Sequence, residues 1–197
     1  MRISDDRYSR DRLRLDLALR FIHHEARTHT IRAWTGLTDD RIRKLYRTYL
    51  YEADGAKVAR HRGKSPRQAA FFTRSLRMRR EAAVFASVSS LFGLITPQTI
   101  TVTRSAESAP TVARGALLCE AFEAYIALIG ESQISFEHAV YLLGALLAGD
   151  ELRVAHCRDC SGVLVTDRLA LRIPVCNECS TSSPHCEDPA NGGHPGS

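Results

Sequence analysis

Long apolar runs, phosphate-cradling loops and lysine are scarce in this chain, and each shortage closes off a class of function. No apolar stretch approaches the roughly 20 residues of a membrane span; the run around Leu142–Leu147 is too short. The first residues, Met1-Arg2-Ile3-Ser4-Asp5-Asp6-Arg7, lack the apolar core of a secretory signal. The expectation is a cytoplasmic protein without a membrane partner, whose thiols stay reduced. There is no Gly-rich phosphate loop, no nucleophile elbow and no carboxylate pair in a catalytic setting. That argues against an enzyme. No internal repeat is visible, so a solenoid is not expected.

What is present is arginine, unevenly spread. The chain has 197 residues, with 27 Lys and Arg against 22 Asp and Glu. Only 3 of the cations are Lys and 24 are Arg. Residues 1–80 hold 21 basic and 9 acidic residues, a balance of +12, whereas residues 81–197 hold 6 and 13, a balance of −7. A concentrated Arg-rich half is the electrostatic footprint of a nucleic-acid binder.

The first 150 residues carry helical periodicity. Leu13, Leu17, Ala18, Phe21 and Ile22 form one apolar stripe and predict a helix over about residues 10–26. A short helix through Thr30–Thr35 follows. Gly36 breaks it, and Thr38 is placed to cap a third helix with Asp39 and Asp40 in its first turn. That helix should bury Ile42, Leu45, Tyr46 and Tyr49 and end near Glu52–Gly55. The loop over 53–66 is basic, with Lys57, Arg60, His61, Arg62 and Lys64. Ser65-Pro66-Arg67-Gln68 then has the form of a capping box with proline at the first helical position, predicting a long helix to about Gly93. Residues 94–111 form a connection. Two more apolar helices cover about 112–130 and 135–149, the second capped by Ser135. Val163–Thr166 and Arg172–Val175 are short β-like pieces. The tail from about 181 to 197 is too polar to fold.

Two patterns carry chemistry. Ile31 to Arg47 has helix, turn and helix proportions, with Arg41, Arg43, Lys44 and Arg47 mostly opposite the apolar face. Such a second helix suits a major groove, where Arg reaches guanine edges and other cations grip phosphates. Arg32 stands where such units usually have a small residue. Arg60, Arg62 and Lys64 in the basic loop are further phosphate-contact candidates. The alternative for both is a solvated basic surface.

The sharper pattern is Cys157-x2-Cys160, fifteen intervening residues, then Cys176-x2-Cys179. That spacing predicts one structural tetrathiolate zinc per chain, closed to substrate. A pair of disulfides is the alternative, disfavoured in a reducing compartment. Cys119 falls on an apolar helical face and is expected to be a buried thiol. His156 is a conceivable neighbour of the site, and Cys186 lies in the tail. His23-x-Glu25 with the later cysteines only faintly suggests a zinc deaminase and leaves Cys157 and Cys160 without a purpose.

Taken in order, these stretches resemble FlhC, the C subunit of the FlhD–FlhC activator of bacterial flagellar genes. The resemblance rests on Ala26-Arg27 through Gly36-Leu37, on Arg41-Ile42-Arg43-Lys44-Leu45-Tyr46, and on Arg62-Gly63-Lys64-Ser65-Pro66. The helical middle and the four-cysteine terminus complete it, over about residues 10–180. It implies Cys157, Cys160, Cys176 and Cys179 as zinc ligands, an FlhD-like partner in a hetero-oligomer, promoter DNA as ligand, contact with RNA polymerase, and no catalytic residue. The fold expectation is mainly α. A helix-turn-helix-like region (1–55) leads to a basic loop and helical partner-binding region (56–150), then a zinc ribbon (151–180) and a disordered tail. The rivals are an RNA-binding or ribosome-associated zinc ribbon and an iron-binding redox protein. The first lacks aromatics interleaved with its cations; colour would reveal the second.

Overall fold

The computed structural model describes residues 2–49, 66–95, 109–171 and 174–182. The fold is mainly helical. Helices α1 (Arg2–His23), α2 (Thr28–Thr35) and α3 (Asp39–Tyr49) lead to a short 3-10 turn, Ala69–Phe72. Then come α4 (Leu76–Leu91), α5 (Val112–Ile129) and α6 (Phe136–Ala148), a hairpin of β1 (Leu152–His156) and β2 (Val163–Asp167), and a final helix, α7 (Asn177–Ser182).

Aromatic rings tie the long helices together. Phe21 of α1 meets Phe136 of α6 edge-on at 4.9 Å, and Phe136 meets Phe122 of α5 at 5.2 Å. Tyr125 continues the chain to Phe85 of α4 at 5.7 Å. Edge-to-face pairs of this kind add to the burial of large apolar area. Gly115 marks a close approach: a Cβ there would stand 2.6 Å from Leu17 Cδ2 and 3.3 Å from the Trp34 ring, so any side chain would force the Leu17 side chain to move.

One buried carboxylate fastens α4 to the start of α6. Glu81 Oε2 accepts from the Tyr125 hydroxyl at 2.8 Å, the Gln133 amide at 2.9 Å and Ser132 Oγ at 3.1 Å, while Oε1 accepts from Arg77 Nε at 2.8 Å. Burial alone would raise its pKa, but the Arg77, Tyr125, Gln133 and Ser132 bonds outweigh it and hold the pKa below the ordinary value. A depressed carboxylate contributes stability that is present above the unfolded pKa and lost as pH falls through the folded one. Glu81→Gln is therefore expected to cost about 1–3 kcal/mol at neutral pH. In urea titrations across pH, that cost shrinks in acid; a difference that stays flat with pH would contradict the ionised assignment.

Several boundaries differ from the sequence-based expectation. Helix α1 begins at Arg2, well before residue 10, and Leu13 is 58% exposed, so the buried stripe starts at Leu17. Pro66-Arg67-Gln68 does not start a helix, and the expected cap Ser65 lies outside the described residues. Gln68 is extended and leads into the 3-10 turn, and the true cap is Ser75, whose hydroxyl accepts from the Met78 amide. The reason is tertiary. Phe71 stacks on His138 at 4.2 Å and Phe72 on Tyr141 at 6.1 Å, and the chain turns to seat both rings. Ser135 and Gly149 bound α6 as expected. Strand β1 was not anticipated, Pro174 and Val175 are not strand, and α7 extends to Ser182, into the expected tail. The proposed end of α3 near Glu52–Gly55, the segment 96–108 and residues 183–197 lie outside the described residues.

Candidate metal centre and cationic helix face

The hairpin sets the four cysteines. Leu152 and Val165 anchor it in the main core, and the pairing Leu152↔Asp167 through His156↔Val163 brings Cys157 to its end. There the Cys157 amide donates to Gly162 O at 2.8 Å and Ser161 N to Cys157 O at 2.9 Å, closing a tight knuckle. The second pair arrives with α7, where Ser180 N bonds Cys176 O. Arg158 N donates to Pro174 O and so ties the two knuckles together.

The four sulfurs lie within 4.8 Å of one another, and they form the group of Cys, His or acidic side chains able to hold a metal among the described residues. Cys160 Sγ and Cys176 Sγ are 3.7 Å apart, well beyond the roughly 2.05 Å of a disulfide. A tetrahedron with metal–sulfur bonds of roughly 2.3 Å has edges of roughly 3.8 Å, so the spacing fits four sulfurs on one cation. Backbone amides face the sulfurs too: Cys176 N donates to Cys157 Sγ at 3.2 Å and Cys179 N to Cys176 Sγ at 3.4 Å.

Electrostatics favours the same conclusion. Amide donation from Cys176, then from Cys160, pulls the Cys157 thiol down to about 6. The Cys179 thiol is pushed up, chiefly by its contact with Cys176 and then Cys160. One sulfur ionises readily and its neighbours then resist, because thiolates this close repel. A central cation removes that repulsion and lets all four act as donors. The donor set is soft and selects a thiophilic metal. His156 is exposed on β1 and is not part of the four-sulfur cluster. Cys119 is fully buried in α5, where burial pushes its thiol up to about 12, as expected of an inert core thiol. Cys186 lies outside the described residues.

The predicted helix, turn and helix are in place as geometry. Gly36 at φ 69° closes α2 by donating to Arg32 O, in the left-handed region that favours glycine. Leu37 drops into the core, and Thr38 Oγ1 accepts from Arg41 N at 3.4 Å to open α3. Ile42 and Leu45 are buried, and the Tyr46 hydroxyl donates to Ala26 O at 3.0 Å. Arg41, Arg43, Lys44 and Arg47 are all exposed, on the side away from that core.

Their pairing was not anticipated. Arg41 Nη1 lies 3.6 Å from Asp11 of α1, and Arg43 Nη1 lies 2.8 Å from Asp40. Arg32 reaches across the turn to Asp39 at 3.6 Å, which gives its large side chain a structural role at that position. Lys44 and Arg47 have no partner among the described residues. Exposed pairs of this kind are worth about 0–1 kcal/mol, so an incoming phosphate can displace either carboxylate. Arg60, Arg62 and Lys64 lie outside the described residues. No helix among the described residues is long and apolar enough to cross a membrane. No protein-family model matches this chain, and no curated protein does.

Proposed function

We propose that the chain is a DNA-binding subunit of a bacterial transcriptional activator of flagellar genes, working with an FlhD-like partner and without catalytic activity of its own. The observation that carries the reading is the exposed cationic face of α3, set opposite buried Ile42 and Leu45 on a three-residue turn containing Gly36. A recognition helix needs that division: one face fixed to its own domain, the other free to enter a major groove. The Arg-rich balance of residues 1–80 and the resemblance described above support it. The metal is proposed to be zinc, one per chain, on Cys157, Cys160, Cys176 and Cys179. Four thiolates leave it no open position, so its role is to hold the hairpin and α7 to the bundle.

Apolar side chains left at the surface of the helical region support a partner. Leu76, Leu91 and Leu128 are exposed, and such surfaces tend to be covered. Co-expression with an FlhD-like protein is expected to yield a stable hetero-oligomer that retards a flagellar-promoter duplex more than a scrambled one in native gels. A chain that remains monomeric with that partner present, and shifts neither duplex, would overturn the reading.

A further inference from the structure

The Ala69–Phe72 turn rests on one imidazole, that of His138 in the first turn of α6. The His138 ring lies 4.2 Å from the Phe71 ring at an interplanar angle of 17°, and Phe72 meets it edge-on at 6.4 Å. Phe71 is half-buried, whereas Phe72 is fully buried in the core. The Phe71 amide donates to Gln68 O at 3.1 Å and the Thr73 amide to Ala70 O at 3.2 Å, so two backbone bonds close the turn beside that stack. On α6 itself, His138 Nδ1 lies 2.7 Å from Ser135 Oγ, which also accepts from the His138 amide at 3.4 Å. A bare Nδ1 takes the hydroxyl proton and leaves the oxygen to the amide. A protonated Nδ1 competes with that amide for the same oxygen.

The charges that face the ring are Arg74 just past the turn, Arg27 ahead of α2, and Glu137 beside it on α6. Glu137 is already committed, its Oε1 accepting from the Arg27 amide at 2.8 Å. The face of Phe71 attracts cations, but the Arg74 guanidinium already stands 4.4 Å from its centroid. We propose that the stack of Phe71 on His138 is a pH-gated clasp, closing the turn onto α6 while the imidazole is neutral and releasing it when the ring takes a proton. Burial first, and then Arg74, holds the His138 pKa below its ordinary value. The clasp's contribution is therefore whole above the unfolded value of about 6.5 and is lost as pH falls through the folded one. Phe72 stays in the core, so what loosens is Phe71, Thr73 and the approach to Ser75, the cap of α4. His24, which also packs on α6 by stacking on Phe136, instead faces the Glu123 carboxylate at 2.9 Å. The clasp operates whether or not α3 binds DNA.

The test follows the full-length protein by NMR from about pH 8 to about pH 5. As the His138 ring titrates, the cross-peaks between the Phe71 and His138 rings should vanish. Protection of the Phe71 and Thr73 amides, corrected for intrinsic exchange, should fall several-fold over the same range, while the Phe85–Tyr125 core contact persists. Glu81, held below the ordinary carboxylate range, titrates at lower pH and does not confuse the reading. His138→Phe keeps a ring in place without a proton to gain, and its turn should stay closed throughout. Arg74→Gln, at an exposed position, should raise the midpoint of the His138 titration, and His24→Gln should leave the transition in place. Ring contacts and protection that survive the His138 titration would overturn the proposal, as would the same loss in His138→Phe. So would a midpoint unmoved in Arg74→Gln, or a transition abolished by His24→Gln.

Discussion

Replacing Cys157, Cys160, Cys176 or Cys179 singly by Ser is expected to strip about one equivalent of metal per chain and unravel the region from β1 to α7. The hairpin has only two strands and α7 only six residues, too little apolar area to stand alone. Apparent binding energies for structural zinc run to roughly 10–16 kcal/mol, so this is the largest single-site effect the fold offers. The damage should spread inward but stop short of the centre. Leu152 and Val165 leave the main core with the hairpin, uncovering the part of α4 that packs against β2, while the Phe21–Phe136–Phe122 ring chain keeps its own contacts. Elemental analysis reports the metal, and amide exchange reports which strands are lost while far-ultraviolet dichroism retains the helices. Cys119→Ser, in the α5 core, is the control and should keep its metal. A variant among the four that keeps full metal, or a coloured iron-containing wild type, would refute the zinc assignment.

How legible the site was depended on how local its determinants are. Four cysteines in two knuckles could be assigned from spacing, because each pair is built by one tight turn and the pairs need only meet. Gly36, Thr38, Ser135 and Gly149 were legible for the same reason: a cap or a left-handed turn involves a few neighbouring residues. Ser65–Gln68 shows the limit. Its capping-box form is a genuine local preference, yet the rings of Phe71 and Phe72 find His138 and Tyr141 some seventy residues away, and that packing moved the helix start to Ser75. Strand β1 was hidden because Leu152-Arg153-Val154-Ala155-His156 buries only its first residue fully. The pairing of Arg41 with Asp11 was equally invisible, since it depends on how α1 crosses α3.

Replacing Arg41, Arg43, Lys44 and Arg47 together by Gln is expected to abolish most duplex binding while leaving the fold intact. All four are exposed and none fills the core, and substitutions at such positions usually cost no more than about 0.5 kcal/mol each. Binding measured by anisotropy across a salt series, with the partner subunit present, should fall steeply with salt for the wild type, because each neutralised phosphate releases counterions. The variant's slope should flatten by about 0.9 for every phosphate contact removed. Single variants separate the roles. Lys44→Gln should weaken cognate and scrambled duplexes alike. Arg47→Gln, the guanidinium on this face without a carboxylate partner among the described residues, should instead cost about 1–3 kcal/mol on the cognate site if it forks onto a guanine, and relax specificity there. Arg43 begins from its 2.8 Å bond to Asp40, so Asp40→Asn should free it and raise non-specific affinity. Replacing Arg60, Arg62 and Lys64 should flatten the slope further without altering preference. Equal, salt-insensitive binding by the wild type and the quadruple variant would refute α3 as the DNA-contacting helix. The next cations to test lie near the metal centre: Arg158, in an exposed pair with Asp159 at 3.0 Å, Arg168, bonded to Gly149 O at 3.2 Å, and Arg172, which lies outside the described residues. A refutation at α3 would therefore move the search to these three arginines of the four-cysteine region.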